Sequence, residues 1–303
     1  MYSYFIYFSL ILIGILCIIA IIIPIIFISY IIYITFFKLS FGEIDVYHKY
    51  GDFLQRLMSK YINIDNYKVK FTNKELISKD KQYIYVFYPH GMYAFTQIIH
   101  LVHKNSELKP YFKNTVHSAH PMLFSMPFFR EFGLLNKSIP VAREYLDHYL
   151  EEGKSLTINP GGIRDIKNCT YRNRNTDILY LNKRKGFIRT AKDNNVELIP
   201  IYCWDEQNII RHSNGFGWLN TLNKKYLGLG FDFNSLQGLS PANMISIIQT
   251  LFKDKEGTIA YVGKPISVNG TIDEIHTEFI NQMRELFNTA NKEHGNKKEL
   301  IIE

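Results

Sequence analysis

Between Met1 and Phe37 the chain carries no charged side chain, and Ile, Leu, Phe and Tyr dominate. A stretch of that length and composition exceeds the roughly 20 residues a spanning helix needs, and a secretory signal would have a basic start and a shorter apolar core. Residues 1–37 are therefore expected to anchor the chain in a membrane. Pro24 lies within the stretch, so one long kinked helix or two short helices folded as a hairpin both satisfy it, and the hairpin is favoured. Residues 38–80 read as a helical connector, leaving 81–303 for one large catalytic domain.

Lys38, Lys49, Arg56 and Lys60 follow the anchor, whereas nothing basic but the amino terminus precedes it. That asymmetry places the main domain on the cytosolic side. Cys17, Cys169 and Cys203 form no disulfide framework. The sequons at Asn136, Asn168 and Asn269 occur in a chain so rich in asparagine that chance matches are expected.

The net charge is +7, and its location says more than its size. Between Arg164 and Lys192 nine Lys or Arg stand against Asp165 and Asp177, which accounts for the whole excess. A polyanion is expected to dock there, with a solvated basic face beside anionic headgroups as the alternative. Nucleic acid is disfavoured for a membrane-anchored chain without a binding module.

From residue 83 onward strand-like and helix-like segments alternate: 83–88 then 92–103, 114–119 then 121–132, 138–142 then 143–152, 155–160, and 196–203 after a basic helix. Residues 258–263 and an amphipathic helix over 271–292 close the domain. This order predicts an α/β fold with a central mixed, largely parallel sheet flanked by helices.

Two of the strands stop abruptly. The aromatic run YIYVFY ends at Pro89-His90-Gly91, and SLTINP ends at Gly161-Gly162, with Asp165 three residues on. Pro89 limits one dihedral and Gly91 permits a close backbone approach, so His90 is held at a strand's C-terminal edge, where open α/β sheets bind ligands. A histidine as general base, a carboxylate to orient it and amide donors at a glycine pair are the minimum for moving an acyl group to a hydroxyl. The H-x-x-H pairs His100/His103 and His117/His120 are a rival metal site, but neither has a further ligand at the usual spacing, so no metal is expected. A serine hydrolase lacks its G-x-S-x-G.

Six blocks, in order, carry a resemblance to the diacylglycerol acyltransferase type 2 family, which includes monoacylglycerol, wax-alcohol and sterol acyltransferases. FYPHG is similar to that family's H-P-H-G; MPFFREFG followed by IPVAREYLDHYL resembles, as one block, its M-P-x-x-R-E with the P-V-S-R-D stretch after it; NPGGIRD resembles P-G-G-x-x-E. NKRKGFIRTA resembles R-x-R-K-G-F, VELIPIY resembles L-V-P-I-Y, and YVGKPI resembles V-G-x-P-I, over residues 83–268 in all. The departures are Tyr88 for the first histidine, Asp165 for the glutamate, and Ala142 for a serine.

The resemblance implies a glycerolipid acyltransferase-like fold and an enzyme that esterifies a lipid hydroxyl with acyl-CoA, the acceptor being mono- or diacylglycerol or another lipid alcohol. It further implies a membrane setting, the endoplasmic reticulum with a cytosolic domain. His90 and Asp165 would be catalytic, with Gly91, Gly161 and Gly162 shaping the turn and the oxyanion site. Arg143, Arg184 and Lys185 would hold coenzyme A phosphates, and no cofactor would be needed. A membrane-tethered lipid-binding protein without catalysis is the alternative. A phospholipid-forming acyltransferase is disfavoured by the absence of H-x-x-x-x-D, since Phe95 stands five residues after His90.

Overall fold

The computed structural model describes residues 22–91, 94–127, 129–162, 164–165, 175–208 and 257–303. Seven strands form one sheet in the order β1-β8-β7-β2-β5-β3-β4. They are β1 Lys68–Phe71, β2 Tyr83–Tyr88, β3 Thr115–Ala119, β4 Ser138–Pro140, β5 Ser155–Ile158, β7 Glu197–Trp204 and β8 Ile259–Val262. Strands β7, β2, β5, β3 and β4 run parallel, and β8 meets β7 antiparallel. The expected mixed, largely parallel sheet is therefore present. Strand β6 (Thr176–Leu179) pairs in parallel with β9 (Glu299–Ile302) in a separate ribbon that the sequence reading missed.

Strand β2 is buried at all six positions, because it lies between β5 and β7 with both faces covered. A strand so placed needs a continuous apolar run rather than an alternating one. The alternation survives as two cores: Ile84, Val86 and Tyr88 enter one, while Tyr83, Tyr85 and Phe87 enter the other. Helices α5 (Arg143–Glu151), α6 (Gly186–Asp193) and α7 (Ile272–Glu293) cover the first face through residues such as Tyr149, Ile188 and Phe279. Leu101 of α3 (Phe95–Val102), with Leu108, Tyr111 and Phe112, covers the second. Thr271 and Glu274 close a reciprocal capping box that starts α7.

The segment 38–80, expected as a connector, does more than connect. Its Lys68–Phe71 is the edge strand beside β8, so the sheet begins before residue 81. Its helix α2 (Phe41–Met58) packs on α4 (Phe129–Leu135) through Arg130, which is 2% exposed and donates to Glu43 Oε1 at 2.6 Å and to the Phe124 carbonyl at 3.0 Å. The block resembling M-P-x-x-R-E is thus a fastening for the N-terminal helices, and Glu131 also accepts from Tyr30 of α1 (Ile22–Phe36). Among the described residues no single helix is long and apolar enough to cross a membrane, although Ile22–Phe36 and Phe41–Leu57 pass that test as a pair bent by 116°. The choice between hairpin and kinked helix turns on residues 1–21, which lie outside the described residues, as do Lys167, Arg172 and Arg174 of the basic run.

Candidate active site

Because β7, β2 and β5 are neighbours and parallel, their C-terminal ends gather at one sheet edge. Each chain continuation delivers one group there: Glu206 after β7, His90 after β2, and Gly161-Gly162 followed by Asp165 after β5. The Tyr88–Pro89 bond is cis, and Gly91 has φ +59°, a left-handed conformation that disfavours side chains. A Cβ on Gly91 would also lie 2.8 Å from the Glu206 carbonyl oxygen.

His90 is 9% exposed, and its Nε2 lies 2.8 Å from the Gly162 carbonyl. A carbonyl only accepts, so this contact assigns the hydrogen to Nε2 and leaves Nδ1 as the basic nitrogen. Gly162 has φ +55°, again left-handed. The second glycine therefore serves the histidine with its carbonyl, a role the sequence reading did not give it, and that contact leaves its amide available as a donor.

Asp165 is fully buried beside the same turn, but its contact with His90 differs from the one expected. Its Oδ2 accepts from the His90 backbone N–H at 3.3 Å, so the carboxylate grips the main chain while Gly162 orients the ring. The first glycine is explained by this acid: a Cβ on Gly161 would fall 2.1 Å from Asp165 Oδ2. Burial pushes the Asp165 carboxyl up to about 6, against the opposing pull of His90, its backbone bond and the Arg184 charge. The shorter side chain that replaces the family's glutamate still reaches the His90 turn.

Glu206 is the site residue that sequence reasoning missed. It is fully buried and accepts from the backbone N–H of Phe95 at 2.6 Å, from that of Thr96 at 3.0 Å and from the Thr96 hydroxyl. Burial lifts its carboxyl to about 7, opposed by those bonds. The available signal was positional: an acid just beyond the end of an apolar strand, as His90 stands just beyond another.

The three cations expected to hold phosphate separate. Arg184 is exposed, and its charge is near enough to oppose the upward shift that burial gives both Tyr88 and Asp165, so it belongs to this edge. Arg143 is held by Asp147 at 2.5 Å and Asp193 at 2.8 Å, and Lys185 by Asp273 at 2.5 Å. The Arg143–Asp193 pair staples α5 to α6 and the Lys185–Asp273 pair joins the start of α6 to α7, while Arg143–Asp147 lies within α5; all are largely open to solvent, so each is weak. The histidines of the two H-x-x-H pairs lie elsewhere. His100 and His117 are buried, His103 accepts from the Asn105 N–H, and exposed His120 accepts from the Met122 N–H. Among the described residues no group of three or more His, Cys, Asp or Glu is placed to hold a metal.

The sheet, the strand-end histidine and the ordered motifs define the class, the α/β acyltransferases. The chain belongs to the diacylglycerol acyltransferase family, whose model matches residues 19–303. Among its relatives are mouse 2-acylglycerol O-acyltransferase 1, at 25% identity over 70% of this chain and 66% of that one, and mouse acyl-CoA wax alcohol acyltransferase 2, at 26% over 78% and 75%. Zebrafish diacylglycerol O-acyltransferase 2 is 24% identical over 80% of this chain and 70% of its own. The chain thus spans about two thirds to three quarters of these relatives' lengths. A crystal structure of a 1-acyl-sn-glycerophosphate acyltransferase from Thermotoga maritima superposes with a TM-score of 0.45 at 12% identity, covering 87% of this chain and 89% of that one.

Proposed function

We propose that this chain is a membrane-bound acyl-CoA:acylglycerol O-acyltransferase that makes neutral lipid by direct transfer. The observation that carries the reading is His90, held at a strand's C-terminal edge with Nε2 on the Gly162 carbonyl at 2.8 Å. Nδ1 takes the acceptor hydroxyl's proton as its oxygen bonds to the thioester carbonyl carbon. Amides of Gly161 and Gly162 receive the developing oxyanion. Collapse breaks the C–S bond, and the imidazolium returns the proton to the leaving thiolate. Asp165, beside the His90 backbone, favours that imidazolium. A thioester is an activated donor, so this route asks for no metal or cofactor.

Arg184, supported by the neighbouring basic residues, would take coenzyme A phosphate. The acceptor is mono- or diacylglycerol in this reading; a long-chain alcohol is the second, supported by the wax alcohol relative. Membrane attachment is supported by the apolar helix α1 and by a stripe on α2, where Val46, Tyr50 and Phe53 are 56%, 63% and 69% exposed beside Lys49 and Arg56. An apolar stripe flanked by cations fits an anionic bilayer surface. In this reading the setting is the endoplasmic reticulum, as the family resemblance implies, with the domain cytosolic.

The test expresses the chain in cells deficient in neutral-lipid synthesis and washes their membranes with alkaline carbonate. Thiol release from long-chain acyl-CoA should appear only when an acceptor is added, with acylglycerols ahead of alcohols. No acceptor-dependent release would end the enzymatic reading, and activity lost to the wash would end the membrane one.

A further inference from the structure

We infer that Glu206 is a positioning residue for this reaction, holding the main-chain turn that presents His90. The inference rests on the proposed role of His90 as base. Helix α3 begins without a cap of its own: Ala94 at its N-cap has φ 51° and makes no side-chain capping bond. The first N–H groups of a helix need partners from outside it. Glu206, 110 residues away along the chain from Thr96, meets the backbone N–H of both Phe95 and Thr96 and the Thr96 hydroxyl. Behind them the Thr96 hydroxyl meets that of Thr258, at the start of β8.

This clamp leads directly to the catalytic turn. The Ala94 N–H donates to the His90 carbonyl at 2.7 Å, so fixing the first turn of α3 fixes the carbonyl of the residue that carries the imidazole. The Glu206 carbonyl also fills the space a side chain would need at Gly91. His90 is thus held from two strands: its ring and its N–H from the β5 side by Gly162 and Asp165, and its carbonyl from the β7 side by Glu206, acting through the first turn of α3 and the Ala94 N–H. Among the described residues no cation pairs with Glu206. The three hydrogen bonds it makes to described residues all point at the segment following the turn, whereas a carboxylate that merely stabilised the fold could accept from any buried donor.

The test compares turnover per folded molecule, and the KM for acyl-CoA and for acceptor, in Glu206→Gln, Glu206→Asp, Thr96→Val and His90→Ala. A base displaced by about an ångström loses turnover without losing substrate, so Glu206→Gln should lower kcat about tenfold to hundredfold with both KM values changed by about twofold or less. An amide leaves one of the three donors facing its NH2 group, while Glu206→Asp keeps the carboxylate and should recover part of the loss. Thr96→Val, which removes the hydroxyl's contacts with Glu206 and Thr258 but leaves both backbone donors in place, should lose less again. Glu206→Gln combined with His90→Ala should be little slower than His90→Ala alone, because a positioning residue has nothing left to position. Loss of an ordinary helix cap would lower the amount of folded protein but leave turnover per folded molecule intact, and that result in Glu206→Gln overturns the inference. If Glu206→Gln does not fold, unchanged turnover in both Glu206→Asp and Thr96→Val overturns it equally. Near-normal turnover in His90→Ala would instead remove the role of His90 itself.

Discussion

The strand-end turn at His90 and the interior around His100 and His117 both bury histidine, but in different company. His100 on α3 meets the Ser106 hydroxyl at 2.9 Å, and His117 in β3 meets the Thr157 hydroxyl at 3.0 Å. Burial pushes His100 down to about 4 and His117 to about 3, the second with help from neighbouring cations. Such rings resist protonation, and a base that cannot accept a proton near neutrality cannot serve acyl transfer. His90 differs in company as well as in place: a buried carboxylate lies against its backbone, and Glu206 holds the segment that follows it. Burial alone therefore makes a structural histidine. An edge position with an acid beside it makes a candidate base.

The most direct way to break this contrast is to remove each histidine in turn. His90→Ala should lose about a hundredfold to ten-thousandfold in turnover, while His100→Ala and His117→Ala keep most turnover per folded molecule. Asp165→Asn should lose less than His90→Ala, and the double variant little more than His90→Ala alone if the two act together. Steady-state kinetics on folded protein check this, and a normal His90→Ala enzyme would erase the distinction.

A smaller effect tests what lies around the edge site. Arg184→Ala should raise the KM for acyl-CoA about fivefold to tenfold, more than the KM for acceptor, as expected for a lost charge-assisted contact. Added salt should mimic the change. Lys185→Ala and Arg143→Ala should do less, because both cations already face carboxylates. Equal effects of all three on the donor KM would show that the basic surface acts as a whole.

The smallest effect concerns the interior histidine and its sign. His117 has a folded pKa near 3 against 6.5 in the open chain, so the unfolded state binds the proton first and stability falls as pH drops below 6.5. Asp165 and Glu206 act oppositely: raised to about 6 and about 7, they take up protons first in the folded state, adding stability as pH falls through those values. Between pH 6.5 and 5 the two tendencies offset each other. His117→Asn should remove one of the buried-histidine contributions while His100 keeps its own, so the drop from pH 6.5 to 5 should favour the variant over the wild type by about 1 to 2 kcal/mol. Denaturant titration at the two pH values measures it, and parallel curves for variant and wild type would show that His117 is not held neutral.

Much of this site could be read before any fold was known. His90 and the glycine pair stand out because proline and glycine punctuate otherwise apolar strands, which is a local signal. Asp165 was legible as an acid near a glycine turn, but its partner was not: whether a carboxylate meets a ring or a main-chain N–H is set by a few ångströms of tertiary placement. Lys185 and Arg143 were expected to hold phosphate because Asp273 and Asp193 lie far along the chain; Asp147, one helical turn from Arg143, was within reach of the sequence. Glu206 was passed over for the same reason, since its hydrogen bonds reach 110 and 111 residues back.

By itself the sequence determined the alternation of buried strands and helices, the apolar start, the basic run and the two strand ends at which chemistry could sit. Each depends on periodicity, on backbone restrictions or on net charge, and these act within a few residues. Only the tertiary structure decided that β7, β2 and β5 lie side by side, so that Glu206, His90 and Gly162 share one edge. It also decided that segment 68–71 joins the sheet and that the last residues pair with β6. Strand order and long-range hydrogen bonds depend on which surfaces bury one another, and no short stretch of chain contains that information.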